Sequence, residues 1–143
     1  MRRARLAAAC RVLLAGAESV TVTGPGARYL APLDTATDWE CARAVVVVFL
    51  GAPARPAERQ LLLDQLRGRL TPGTPVVLVD HNQPRALWRR VVGVIALGFA
   101  GFGPSRARYP AAREMAALGF RIEQLVLACG ERVQLVRARV GRG

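Results

Sequence analysis

A chain of 143 residues, 52% hydrophobic and 22% charged, carries enough apolar side chain for the core of one compact α/β domain. Its 21 basic against 10 acidic residues give a formal charge of +11. Every basic residue is arginine, and the arginines are scattered from Arg2 to Arg142. That pattern reads as a uniform coding preference rather than a selected stripe, so nucleic acid is not the expected partner. Three cysteines (Cys10, Cys41 and Cys129) share no metal-ligand spacing, and an odd count argues against a disulfide framework. A reduced, cytoplasmic compartment without a bound metal is expected.

The N-terminal stretch MRRARLAAACRVLLAGAES opens basic and turns apolar, but Arg11 interrupts it, which predicts a helix rather than a signal peptide. Leu6, Cys10, Leu13 and Leu14 fall on one side, with Arg2, Arg5 and Arg11 towards solvent. Gly16 is its expected stop. A short β-branched strand, Ser19 to Thr23, follows, then a long loop from Gly24 to Arg43 that begins Gly-Pro-Gly. Without a helix directly behind it, that triplet reads as a turn more readily than as a phosphate loop.

The chain is organised around Ala44 to Asp80. AVVVVFL lacks the alternation of a half-exposed strand, so it belongs in the middle of a parallel sheet, covered on both faces. The helix AERQLLLDQLRGRL comes next, with Leu62, Leu63, Leu66 and Leu70 on one face and Arg59, Asp64, Arg67 and Arg69 elsewhere around it. Pro56 suits its first turn, and Thr71-Pro72-Gly73 ends it before the strand VVLVD. In such sheets ligands bind beyond the carboxyl ends of the strands, which directs attention to Leu50-Gly51-Ala52 and Asp80-His81-Asn82.

From Val91 to Phe102 the chain is uncharged but too short to cross a bilayer. Residues 84 to 104 read as a buried helix or lid, or as an interfacial element with Arg85, Trp88, Arg89 and Arg90 at its mouth, leaving contact with a membrane surface open. YPAAREMAALGF predicts a helix stopped by Gly119. FRIEQLVL and RVQLVRARV, joined at ACGE, predict an antiparallel hairpin at the sheet edge. The chemistry on offer is narrow, with one histidine and no Ser-His-Asp set. His81 has two readings: a general base for a hydroxyl, or a cap tied to Asp80 and Asn82.

The order strand, helix, LTPGTPVVLVDHN, apolar insert, AAREMAALGFRIEQLVLACGERVQLVRARV resembles the second half of the class I S-adenosylmethionine-dependent methyltransferases. Upstream, MRRARLAAACRVLLAGAESVTVTGPGARYLAPLD is similar to the family's helix after its second strand and then its third strand. The resemblance implies a truncated Rossmann-like α/β fold, a mostly parallel sheet flanked by helices and closed by an antiparallel hairpin. It implies one domain over residues 1–143 that lacks the family's first β-α-β cofactor-binding unit. S-adenosylmethionine is the implied cofactor, with Gly26, Asp34, Phe49, Leu50 and Gly51 at positions that flank it. Gly26 stands where the family carries an acid for the adenine amino group, and Asp34 or Asp38 is the substitute from the loop beyond.

An apolar small-molecule acceptor is the implied substrate, with His81 as its base and Asn82, Trp88 and Tyr109 around it. The family's neighbours of the first and central strands are missing. Either Ser19–Thr23 therefore pairs directly with Val45–Val48 to give a five-stranded sheet, or a second chain or another copy completes it. Two functions stay open: a methyltransferase incomplete as an isolated chain, and a non-catalytic remnant that serves as a binding or structural partner.

Overall fold

Four consecutive valines, Val45–Val48, are fully buried and form a strand with a neighbour on each side in the sheet. A computed structural model of the chain describes residues 2–14, 17, 20–30, 42–50, 56–82, 95 and 111–141. In chain order the elements are α1 (Arg2–Leu13), β1 (Thr21–Thr23), a short 3-10 helix (Ala27–Leu30), β2 (Val45–Val48) and α2 (Pro56–Arg69). There follow β3 (Pro75–His81), α3 (Ala111–Ala117), β4 (Phe120–Ala128) and β5 (Val133–Val140).

The strands form one five-stranded sheet in the order β1-β2-β3-β5-β4. β1, β2 and β3 are mutually parallel, β5 is antiparallel to β3, and β4 is antiparallel to β5, so β4 again runs with β3. The expected direct pairing is present: Thr21 lies opposite Val45, Val22 opposite Val46 and Thr23 opposite Val47. The Thr21 N–H donates to the Ala44 carbonyl at 2.9 Å. This contact gives the edge of β2 the backbone partners that a buried strand requires.

Alternation along each strand supplies two cores. Val46, Val48, Val77, Val79 and Leu135 face α1, which contributes Leu6, Ala7, Cys10 and Leu13. Val45, Val47, Val76, Leu78, Val136 and Ala138 face the other way, towards Leu63 and Leu66 of α2, Leu70 just past its end, and Ala111 and Met115 of α3. With helices on both faces, every position of β2 must be apolar, and each buried valine or leucine contributes about 1.5–3 kcal/mol. Burial also pushes the Cys10 thiol up to about 12, which makes it a packing group at neutral pH.

Two details differ from the sequence reading. Arg59, expected away from the buried stripe of α2, has no exposure at all, whereas Leu62 is only partly buried. Residues 59, 63, 66 and 70 follow the four-three-four steps of one helical face, and Leu62 sits at its margin. β1 begins at Thr21, and Ser19 lies outside the described residues. The expectations for Gly16, for the loop at 31–41, for Gly51 and for Trp88 and Tyr109 in the insert also fall outside them.

Candidate functional site

The carboxyl ends of β1, β2 and β3 are the place where a ligand of such a sheet sits. Beyond β1 the chain turns at Gly24-Pro25-Gly26 and enters the 3-10 helix. The Gly26 N–H donates to the Val48 carbonyl at 2.9 Å, and the Ala27 N–H to the Gly24 carbonyl at 3.0 Å. Gly24 has φ +95°, and a Cβ there would stand 2.5 Å from the Val48 oxygen. A Cβ on Gly26 would stand 2.2 Å from the Leu50 oxygen. Both glycines are required because the turn lies directly on the backbone at the end of β2. The triplet is thus a turn clamped to the sheet.

Phe49 and Leu50, just past β2, are buried, and the Phe49 N–H extends the ladder by donating to the Val79 carbonyl at 2.9 Å. Over the Phe49 ring lies the Arg59 guanidinium, 4.1 Å from the centroid. Arg59 Nη1 is 2.7 Å from Asp80 Oδ2, and its Nη2 is 3.8 Å from Glu114 Oε2. Arg59 and Asp80 have no side-chain exposure, and Glu114 has 8%. This cluster ties α2, the end of β3, α3 and the residue after β2 into one buried knot.

Asp80 Oδ1 also accepts the His81 N–H at 2.8 Å. Asn82 donates from its backbone to the Arg132 carbonyl and from Nδ2 to the Glu131 carbonyl, both at 2.8 Å. The His81 carbonyl accepts from Gln134 Nε2 at 2.8 Å. The segment after β3 is therefore stitched to the turn between β4 and β5, with His81 and Asn82 half-buried.

Of the residues singled out in the sequence, Gly26, Phe49 and Leu50 meet around the end of β2, and His81 and Asn82 adjoin one another at the end of β3. Asp34, Gly51, Trp88 and Tyr109 lie outside the described residues. The buried Arg59–Asp80–Glu114 cluster was not anticipated. Its signal was present: Arg59 shares the spacing of Leu63, Leu66 and Leu70, so a charge on that stripe demands a buried partner.

No protein-family model and no curated protein matches this chain. Solved structures do. The pyocyanin biosynthetic protein PhzM superposes with a TM-score of 0.61 at 15% identity, over 96% of this chain and 47% of its own. Human N-acetylserotonin methyltransferase, solved in complex with SAM, gives 0.58 at 16% identity, over 98% and 45%. The riboflavin-derivative dimethyltransferase RosA from Streptomyces davawensis gives 0.55 at 17% identity, over 98% and 47%. The fold is that of the class I S-adenosylmethionine-dependent methyltransferases. This chain spans about half the length of each of these three.

Proposed function

We propose that this chain is part of an S-adenosylmethionine-dependent methyltransferase-like system acting on an apolar small molecule, and that the 143 residues alone bind the cofactor weakly or not at all. The observation that carries this reading is the clamp of Gly24–Gly26 on Val48 and Leu50. The described residues do not fit the cofactor. A side chain on Gly24 or Gly26 would run into the Val48 or Leu50 backbone, Phe49 and Leu50 are buried, and the Asp80 carboxylate is held by Arg59. Groups that hold the ribose, the methionine and the adenine would come from outside the described residues. When bound, the cofactor supplies an electrophilic methyl group, and the protein's task is to align an acceptor with it. His81, half-buried as the last residue of β3, is the candidate base for an acceptor hydroxyl, with Asn82 beside it.

Calorimetry of the 143-residue chain with S-adenosylmethionine tests the proposal. No saturable heat is expected. A micromolar dissociation constant, worth about −8 kcal/mol, would overturn it and give the Gly24–Gly26 turn a different role. A second reading, a non-catalytic methyltransferase fold that serves as a binding partner, is favoured by the same closed packing. Transfer of labelled methyl to an acceptor by this chain together with a partner that restores cofactor binding decides for the first reading. Restored cofactor binding without transfer to any acceptor decides for the second.

A further inference from the structure

At the other end of β3 the sheet carries a second group of charges that the methyltransferase reading does not use. Arg121 of β4 lies directly opposite Arg139 of β5. Like charges opposed across an antiparallel pair are destabilising, so something must hold them there. A bulge between Ile122 and Gln124 adds Glu123 as the extra residue of β4. Bulges re-aim side chains, and this one brings the carboxylate among the arginines. Glu123 Oε1 is 2.7 Å from Arg139 Nε and 3.1 Å from Arg121 Nη2, while its Oε2 is 3.0 Å from Arg137 Nε. Arg139 Nη1 also donates to the Gly73 carbonyl at 3.1 Å, which anchors that guanidinium to the turn before β3.

Among the described residues, three guanidiniums face one carboxylate, an excess of two positive charges. Arg121 and Arg139 border an open cleft of about 700 Å³ lined by Gly73, Arg121, Glu123, Arg139, Val140 and Gly141. The arginine side chains keep 71%, 26% and 36% exposure for Arg121, Arg137 and Arg139, so their remaining N–H groups can reach a ligand. Arginine forks match the oxygens of phosphate, and a cleft of this size suits a small molecule. We infer that this cleft binds a phosphate group carried by a small molecule, gripped by Arg121 and Arg139, for which the Glu123 carboxylate competes.

Thermal unfolding followed by circular dichroism, with inorganic phosphate as the probe and sodium chloride matching its ionic strength, tests this. Phosphate is expected to raise Tm in a concentration-dependent way beyond the chloride control. The Arg121→Gln/Arg139→Gln double variant is expected to lose that rise, whereas Arg69→Gln, an exposed arginine at the end of α2, keeps it. No rise beyond chloride overturns the inference, and so does a loss in Arg69→Gln equal to that in the double variant. Because Arg139 also holds Gly73, Glu123→Gln gives a check that retains all three guanidiniums. Removing the competing carboxylate should tighten phosphate binding about fivefold, read by phosphorus NMR titration. Unchanged or weaker binding in Glu123→Gln overturns the inference as well.

Discussion

Two arginine–carboxylate clusters stand at opposite ends of β3, and they have opposite compositions. At the carboxyl end one guanidinium, Arg59, serves two acids, Asp80 and Glu114, with almost no exposure. At the amino end three guanidiniums surround one acid, Glu123, at the surface. Ion-pair distances are alike in the two places, 2.7 Å for the shortest contact in each. The difference lies in the solvent. Water screens the surface group and makes each of its bonds worth little, while the interior leaves the buried group wholly dependent on its partners. The first cluster is therefore a buried structural knot, and the second keeps its donors at the surface.

The largest test of that contrast is Arg59→Met. It strands Asp80 and Glu114 without their cation, and a loss of about 3–5 kcal/mol is expected in urea unfolding. Adding Asp80→Asn and Glu114→Gln removes the stranded charges and should recover a good part of it. If Arg59→Met costs no more than a surface substitution, the buried knot is not what holds this end of the sheet.

An intermediate effect is expected from Gly26→Ala. Its methyl would meet the Leu50 carbonyl at 2.2 Å, a backbone atom that cannot swing aside. Overpacking of this kind costs about 1–3 kcal/mol, and thermal unfolding measures it. A neutral outcome would mean that the carboxyl end has room, and the argument against cofactor binding there would weaken with it.

The smallest effect belongs to Glu123→Gln, expected to cost less than about 1 kcal/mol and to shrink further in high salt. Partial burial raises the Glu123 pKa, but hydrogen bonds from Arg139 and Arg121 and the charges of Arg139 and Arg137 outweigh this and hold it below the ordinary 4.5. A carboxyl depressed in the folded state adds stability above its unfolded pKa and loses it as pH falls through the folded value. The difference between wild type and Glu123→Gln should accordingly be constant at neutral pH and close only in acid, below 4.5. A difference that closes between pH 6 and 8 instead would point to another group.

Much of the architecture was legible because local chemistry and tertiary placement agree. The valine run, the leucine stripe of α2, the stop at Thr71-Pro72-Gly73 and the hairpin around Gly130 each signal one structure. The direct pairing of β1 with β2 was also foreseeable, since a buried strand cannot keep bare backbone at its edge. The candidate site was less legible. His81 and Asn82 were marked by their place after a strand, but nothing local showed that Asn82 bonds to residues nearly fifty positions away in the last turn.

Sequence by itself determined where β2, α2, β3, α3 and the β4–β5 hairpin lie, because periodicity and turn residues act over a few neighbours. It also determined that both faces of β2 are covered, since only then is an uninterrupted valine run stable. Only the tertiary structure decided that Arg59 is interior, that Gly24–Gly26 closes the end of β2 and that the bulge at Glu123 gathers three arginines. Each depends on atoms from distant segments meeting at hydrogen-bond or contact distance. Charge and glycine content announce that such meetings are possible, and the packing of the sheet selects which of them occur.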